Sequence, residues 1–543
     1  MNTSFNLIEK PWIKVLDSNN QEQLVSLSEV FQNASQYKQL SGDTKSQDLA
    51  ILRFLLAILT RVYFISENKN VLLKQWEKIY NSDEFTNNVF KYLDEYKDCF
   101  DLFGDKPFYQ VTEEVYDQHV EAKKQVKNGK GTVAIKQINR TISESNNTPA
   151  IFSSKSEENK NKIDLAEFTR WLIAYQNYTG TTDKTKIISR EKFSASSGWL
   201  YGLNPFFIKG ANLFKTLMLN LVLDPEFNDE EQKPVWEYDI TEYLRKRVRA
   251  ERPDNVSELY TLWSRMLHIE WSNNEEPTIF TAALPKVDNM DAFIEPMTTW
   301  QYDKKAESFK PAVKNKNNLD IAMWRNFGQY VGLTKDEKEG QRLPGLVKWL
   351  NTLVDKKLIR SVLNVDLTSV SLVSDGNATS QSPYAEVVDN MRIKLNVLFD
   401  SNPDLASKWP IRIDNTIDQT QMIGKDLWIF AKKTATLMGV ADTTFASKAT
   451  SHFYDRLNNI FYSWLASISI DDDQNRKILE WKNQLEKVAA QEAKLIVANV
   501  SSKAIMGKKD NEKSSVENIF TLYNSFHVNV LIHLGKRKKK NGR

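Results

Sequence analysis

The chain has 543 residues, of which 41% are hydrophobic, 11% aromatic and 26% charged. This length allows two to four domains, and the aromatic content excludes a disordered chain. The formal net charge is +3, from 73 basic and 70 acidic residues, so any nucleic-acid contact must rest on local patches. The single cysteine, Cys99, excludes both an intrachain disulfide and a zinc site built on several cysteines.

The N-terminal part predicts a strand hairpin followed by a helix. Two apolar stretches, 11–16 and 23–27, flank a polar turn, which is the pattern of two paired strands. Ser46 is a candidate N-cap for a helix that begins near Gln47. The apolar run 49–64 is too short and too charged to span a membrane, so it predicts a buried helix. Because the first residues lack the pattern of a secretion signal, we expect a cytoplasmic protein.

The middle of the chain predicts a mixture of elements. Apolar periodicity disappears over 119–162, which predicts a long loop of the kind that is often functional. A helix is predicted over 163–178, and a second over 257–269. Alternation of β-branched residues over 358–372 predicts a strand, and a further helix is predicted over 384–400.

The C-terminal part is dominated by long amphipathic helices. Apolar residues spaced by three and four mark four of them, beginning near residues 423, 445, 478 and 516. Short connections between such helices favour an antiparallel bundle. The predicted fold class is therefore α+β. It comprises a large mixed N-terminal domain with short sheets and helices over 1–380, and a C-terminal antiparallel four-helix bundle over 381–543.

Recognisable catalytic motifs are missing from the sequence. The five histidines form no metal-binding pair, and neither a nucleophile elbow nor a phosphate-binding loop occurs. A metal-dependent nuclease needs converging carboxylates, for which Asp288, Asp291 and Glu295 are candidates. A second acidic run, 471–473, fits equally well the N-terminus of a helix, where acidic side chains favour the dipole. We therefore predict no catalytic residue, metal or cofactor, and keep the nuclease as an alternative.

One segment is strongly basic and contains no acidic residue. Its glycines, Gly129 and Gly131, predict a flexible loop. A cationic loop can bind a phosphate backbone because neutralised phosphates release counterions, although a merely solvated loop fits the pattern as well. The basic residues of this segment are Lys123, Lys124, Lys127, Lys130, Lys136 and Arg140.

Three segments together resemble the CasA family, the large subunit of the type I-E CRISPR Cascade surveillance complex. They are FNLIEKPWIKV at 5–15, DKPFYQ at 105–110 and SHFYDR at 451–456. The resemblance implies a non-catalytic subunit that recognises the protospacer-adjacent motif (PAM) in double-stranded DNA. It also implies a role in strand opening, in R-loop formation and in recruiting the helicase-nuclease.

The resemblance also implies partners. They are the small, backbone and guide-end subunits of Cascade, the 5′ handle of the CRISPR RNA, the double-stranded target DNA and the helicase-nuclease, with no membrane. In such a division of labour the guide RNA reads the target sequence and the protein reads only the short motif.

Three residues are implied to contact the PAM. Asn139 aligns with a loop asparagine of the family, and Gly180 is the one glycine that remains of a glycine-rich loop. Lys286 corresponds to a lysine that probes the minor groove, where acceptors of A·T and T·A pairs form a degenerate code. The basic segment from Lys123 to Arg140 then becomes a contact to guide RNA or to a nucleic-acid backbone.

The resemblance further implies a strand-separating wedge at Arg325 and Asn326. The sequence Trp324-Arg325-Asn326 stands where a relative has Trp-x-Gln, and asparagine is shorter than glutamine, so Arg325 is expected to share the insertion. An electrostatic face for the displaced strand is implied in the predicted bundle, although solvated helix surfaces explain the same residues. The residues of this face are Lys425, Lys432, Lys433 and Lys448. A scaffold that only bridges proteins remains a further alternative.

Overall fold

The computed structural model describes residues 4–144, 152–180, 183–195, 197–227, 231–271, 275–332, 342–375, 383–440, 442–509 and 516–538. The chain divides into two compact units. The first comprises Met1–Leu319, Thr334–Leu358 and Asp366–Asn390, and the second comprises Asp320–Leu333, Ile359–Val365 and Met391–Arg543. The predicted boundary between residues 380 and 381 lies outside the described residues. A single cut cannot separate the two units, because the second takes in two earlier segments.

Helices provide most of the secondary structure. In chain order they are α1 Leu27–Gln32, α2 Lys45–Tyr63, α3 Lys69–Ser82, α4 Asn87–Glu95, α5 Glu113–His119, α6 Ile135–Ile138, α7 Leu165–Tyr178, α8 Leu213–Asn220, α9 Ile240–Val248, α10 Val256–Tyr260, α11 Phe327–Val331, α12 Gly345–Asp355, α13 Leu395–Leu398, α14 Trp409–Met438, α15 Thr444–Ser467, α16 Gln474–Ala498, α17 Ser502–Met506 and α18 Ile519–His533.

The strands form several small sheets. They are β1 Ile13–Asp17, β2 Glu22–Val25, β3 Tyr37–Leu40, β4 Phe206–Lys209, β5 Arg265–Glu270, β6 Thr278–Ala283, β7 Trp300–Asp303, β8 Ser308–Pro311, β9 Asn364–Ser374, β10 Pro383–Lys394, β11 Lys508–Lys509 and β12 Val516–Glu517. Their orders are β2-β1-β3, β10-β9-β4, β5-β6, β7-β8 and β11-β12. Short sheets combined with many helices confirm the predicted α+β class.

The N-terminal hairpin and the buried helix are both confirmed. β1 and β2 pair antiparallel, with Ile13 opposite Val25. α2 begins two residues earlier than predicted, because Thr44 is its N-cap and accepts a hydrogen bond from the N–H of Gln47. Ser46 is instead buried in the first turn, where its N–H donates to the Glu386 carboxylate at 2.7 Å. Most of α2 is buried, so its apolar run forms part of the core of the first unit.

Two predicted helices were wrong. The helix predicted over 257–269 ends at Tyr260 as α10, and β5 follows and pairs antiparallel with β6. The apolar residues of this run are buried on all sides, and such a run carries no periodicity that separates helix from strand. The helix predicted over 384–400 is largely the strand β10, whose exposure alternates from residue to residue over its first eight positions. This alternation is the period of a strand.

The region predicted as a long loop over 119–162 is anchored in its described part. It contains short 3₁₀ turns at Ala122–Lys124 and Val126–Asn128, followed by α6. Apolar side chains fix it to the core, and the buried ones are Val120, Val126, Val133, Ile135, Ile138 and Ile142. Their irregular spacing hid this anchoring from a search for periodic patterns.

In the second unit, the four predicted amphipathic helices are present as α14, α15, α16 and α18. α14 packs against the other three, and α16 also packs against α15 and α18. The acidic run 471–473 precedes α16, and Asp473 caps it by accepting from the N–H of Arg476. The interpretation of this run as a helix N-terminus is therefore confirmed. No helix within the described residues has the length and apolar character that a membrane crossing requires.

Candidate nucleic-acid interface

Lys286 projects from a turn whose backbone is fixed at the preceding residue, Pro285. The residue follows β6, and its side chain is exposed while those of its neighbours Pro285 and Val287 are buried. Ala195 forms a β-bridge with Pro285. The carbonyl of Pro285 also accepts a hydrogen bond from Arg247 Nη2 at 2.9 Å. Because the backbone is already ordered, a ligand that meets Lys286 has only the side chain left to immobilise.

Gly180 lies just after α7, and its carbonyl accepts a hydrogen bond from Arg265 Nη2 at 2.8 Å. The residue itself is buried. The chain then runs beside the end of β6, where the N–H of Ala283 donates to the carbonyl of Thr185 at 2.9 Å. Thr181 and Thr182, which follow Gly180 in the chain, lie outside the described residues. The structure thus brings the segment that follows Gly180 beside the strand that leads to Lys286.

Asn139 and Arg140 are turned into the protein. Asn139 is 1% exposed, and its Nδ2 donates to Glu167 Oε1 at 3.0 Å. Its Oδ1 accepts from both the N–H and the hydroxyl of Thr141. Arg140 Nη2 donates to the carbonyl of Tyr178 at 2.9 Å, and burial lowers the pKa of its guanidinium. Direct contact with nucleic acid does not fit the placement of Asn139, whereas Arg140 is half-buried. Both residues instead hold the loop against α7.

The lysines of the basic segment fall into two groups. Lys123 forms an ion pair with Glu121, and Lys136 forms one with Glu144, each at 2.9 Å. Both carboxylates lie outside the acid-free run, so the local charge is smaller than the sequence indicated. Lys127 and Lys130 are exposed and Lys124 is half-buried. These three remain the candidates for contact with a nucleic-acid backbone.

The acidic trio of the nuclease alternative does not converge on a cation site. The Glu295 carboxylate is fully buried and binds both terminal nitrogens of Arg53 at 2.9 Å. It also accepts from Trp199 Nε1 at 2.7 Å. Asp291 Oδ1 accepts instead from the N–H of Phe309 at 2.8 Å. Across the described parts of the chain, no three possible metal ligands cluster. Glu295 and Asp291 therefore serve the fold, and the trio does not form the converging site that the nuclease alternative requires.

In the second unit, residues 323–326 form a 3₁₀ turn that precedes α11. Trp324 is fully buried, whereas Arg325 and Asn326 are partly exposed. The Arg325 guanidinium lies 3.6 Å from the centre of the Tyr454 ring on α15. The backbone carbonyl of Arg325 accepts a hydrogen bond from Gln421 Nε2 on α14 at 2.9 Å. The turn is therefore held by two helices while its polar side chains reach the surface.

A glycine permits this arrangement. An added Cβ at Gly424 would lie 2.2 Å from the Tyr454 hydroxyl oxygen and 2.7 Å from Cζ of the same ring. Tyr454 is therefore seated directly on the backbone of α14. The ring in turn supports Arg325 through a cation–π contact. The position of the predicted wedge thus depends on a residue without a side chain.

Lys425 lines an open cleft together with Arg325 and Tyr454, and the cleft also includes Trp428. On α14, Trp428 follows Lys425 by three residues and Lys432 follows it by seven, so the three side chains share one face. The Lys432 Nζ lies 4.9 Å from the centre of the Trp428 ring. Sequence reasoning missed Trp428, although an aromatic residue between two lysines on one helical face was a usable signal.

The other two lysines of the predicted displaced-strand face are placed differently. Lys433 forms an ion pair with Glu517 of β12 at 2.8 Å. Lys448 is exposed on α15. The structure therefore brings Lys425 and Lys432 together on one face, but not the whole predicted set.

The chain is related to proteins of CRISPR systems. A model of the family described as CRISPR-associated protein Cse1 matches residues 6–491. A curated relative, the CRISPR-associated protein CasA/Cse1 of Thermus thermophilus, is 26% identical over 237 residues. That alignment covers 43% of this chain and 42% of the relative, so it spans less than half of either protein.

Solved structures share the fold over nearly the whole chain. Cse1 of Thermobifida fusca has a TM-score of 0.80 at 21% identity and is covered over 98% of both chains. CasA (Cse1) of Thermus thermophilus has a TM-score of 0.69 at 17% identity, over 99% of this chain and 100% of the other. A chain of a CRISPR RNA-guided surveillance complex has a TM-score of 0.65 at 12% identity, over 97% and 99%. Because the family model spans most of the sequence, this chain belongs to the CRISPR-associated protein Cse1 family.

Proposed function

We propose that this chain is the large, non-catalytic subunit of a CRISPR RNA-guided Cascade complex in the cytoplasm. In this role it recognises the PAM in double-stranded DNA, promotes strand opening and R-loop formation, and recruits the helicase-nuclease. Its partners are the small, backbone and guide-end subunits and the 5′ handle of the CRISPR RNA. Family membership and the shared fold with a chain of a surveillance complex support the proposal.

The observation that carries the PAM-reading role is the placement of Lys286. Its ammonium group is exposed, while the turn that bears it is held by a β-bridge and by Arg247. A single lysine on a fixed turn suits the minor groove, where the acceptors of A·T and T·A pairs are nearly equivalent. We expect such a reader to tolerate several related motifs.

Strand opening is assigned to the turn that carries Arg325 and Asn326. Separating a base pair costs a few kcal/mol in lost stacking, so an inserted group must replace that stacking. A guanidinium is planar and stacks on flat surfaces, as Arg325 already does on Tyr454. Lys425 and Lys432 lie on a face that can attract the backbone of a released strand, and Trp428 offers a surface for a base.

The first experiment measures DNA binding by the complex assembled with and without this chain. The duplexes match the guide, their flanking trinucleotide is varied, and salt is titrated. We expect the chain to create binding that depends on the flanking trinucleotide, and Lys286→Ala to remove this dependence. Lys74 is an exposed lysine on α3, and the control variant Lys74→Ala should preserve the dependence. Binding that ignores the flank with the unaltered chain contradicts PAM reading and favours the scaffold alternative.

The second experiment follows strand opening with a fluorescent base analogue at the first base pair after the motif. Arg325→Ala combined with Asn326→Ala should slow the opening signal much more than it weakens initial binding, because contact with the closed duplex does not need the wedge. Lys487→Ala, an exposed residue on α16, is the control and should leave opening intact. Unchanged opening in the double variant removes the wedge assignment.

A further inference from the structure

A narrow cleft opens beside Lys286 in the first unit. Its lining includes Arg247, Trp263 and Ser264, with Lys286 and Asn289 also contributing. Arg247 belongs to α9, Trp263 and Ser264 precede β5, and Lys286 and Asn289 follow β6. Four residues between 197 and 202 also contribute to the lining. The cleft therefore lies next to the turn to which PAM reading is assigned.

Arg247 is a buried cation whose charge is not matched by a carboxylate. It is 1% exposed, and two of its nitrogens donate to the backbone carbonyls of Trp263 and Pro285. Its Nη1 has no hydrogen-bond acceptor within the described residues. Glu258, a carboxylate close enough to influence the pKa of Arg247, is paired with Lys246 at 3.0 Å. Burial lowers the pKa of the guanidinium, yet arginine remains protonated.

A buried guanidinium without an anion is unfavourable, since its lost hydration is replaced only in part. A second donor among the lining residues is also unused, because Trp263 is 4% exposed and its Nε1 lacks an acceptor in the described structure. Lys286 adds an exposed ammonium at the rim. Two hydrogen-bond donors without acceptors and two positive charges complement a ligand that carries negative charge on more than one oxygen.

We propose that this cleft binds one phosphodiester oxyanion, with Arg247 at its base and Lys286 at its rim. The inference rests on the proposed function and assigns it a backbone subsite. The phosphodiester belongs to the target duplex, because the lysine at the rim is the one assigned to the PAM. A phosphodiester of the guide RNA has the same chemistry, and the test separates the two sources.

The test uses the assembled complex and duplexes in which one phosphate at a time, across the motif and its flanks, is replaced by an uncharged methylphosphonate. We expect one position to weaken binding roughly tenfold and to reduce the salt dependence by about one phosphate. In a complex with Arg247→Gln, neutralising that same phosphate should have little further effect. A complex with the control variant Lys74→Ala should still show the full weakening of binding when that phosphate is neutralised.

Three results overturn the inference: no single DNA position is sensitive; the Arg247→Gln complex stays as sensitive as the unaltered one; or only a methylphosphonate in the RNA 5′ handle weakens binding. The scan with the unaltered chain does not depend on the folding of any variant. If Arg247→Gln unfolds, Arg247→Lys takes its place, because lysine keeps a donor for the carbonyl of Pro285. Flank dependence on unmodified duplexes reports the proposed function separately.

Discussion

Replacing Gly424 by alanine tests how the wedge is supported. The new Cβ would meet the Tyr454 hydroxyl oxygen at 2.2 Å. Ordinary contact is about 3.5 Å, so the hydroxyl must retreat by about 1 Å. Overpacking of this kind costs about 1–3 kcal/mol. Alanine recovers about 1 kcal/mol of helix propensity. Displacing Tyr454 also weakens its contact with Arg325, which contributes about 0.5–2 kcal/mol.

We therefore expect Gly424→Ala to destabilise the second unit by about 1–3 kcal/mol, the balance of these effects. The assay is amide hydrogen exchange in the full chain, because peptides from α14 and α15 report local opening. Tyr454→Phe in the alanine background removes the atom nearest to the added methyl group. This second substitution should restore only part of the lost stability, because the added Cβ would still lie 2.7 Å from Cζ of the ring.

Gly439→Ala is the matched control. Nothing lies within 4 Å of its added Cβ, and its cost comes only from a backbone φ of +87°. Tyr454→Phe should therefore give no recovery at this position. If Gly424→Ala exchanges as slowly as the unaltered chain in α14 and α15, then Tyr454 does not rest on Gly424 and the reasoning about the wedge is wrong.

Three further predictions follow from particular contacts. Glu295→Gln leaves Arg53 as an unmatched buried charge and should cost about 3–5 kcal/mol in thermal unfolding, whereas the exposed Asp288→Asn should cost little. Asp473→Ala removes the N-cap of α16 and should cost about 1 kcal/mol, with Asp471→Ala as the control; equal effects would contradict a capping role. The hydrogen bond from Lys310, helped by two backbone N–H groups, lowers the pKa of Asp303 to about 2. The folded state therefore favours ionised Asp303, a preference that fades as the pH falls toward 2, and Lys310→Ala should raise this pKa toward 3.8 in an NMR titration.

The sequence was most informative where one element has a long uniform pattern. α2, α7 and the four long helices of the second unit each bury an apolar stripe or run that is visible in the sequence alone. β5 and β10 were missed because their conformation is set by the strands that pair with them. No local spacing in β5 carries that information, and the alternation in β10 is one of exposure, which only the structure shows.

The candidate site shows the same division. Lys286 could be proposed from the family resemblance, whereas the burial of Asn139 depends on its apolar neighbours Ile138 and Ile142. The sequence did not indicate Arg247 as a candidate site residue, because the run Arg245-Lys246-Arg247 resembles any solvated basic helix. Only the packing of α9 decides which of these three side chains is buried. Sequence reasoning therefore located charges, and the fold decided which of them remain available.

The position of Trp324 has a consequence for biosynthesis. Its ring stacks on Phe461 at 4.3 Å, and its indole N–H bonds to Asn458, a residue 134 positions later in the chain. Translation proceeds at about 5–20 residues per second, so roughly 7–27 s pass before the ribosome supplies that partner. During this interval a large apolar side chain has no place to be buried. Trp324 therefore completes its packing only after α15 and the later Trp481 of α16 have been synthesised.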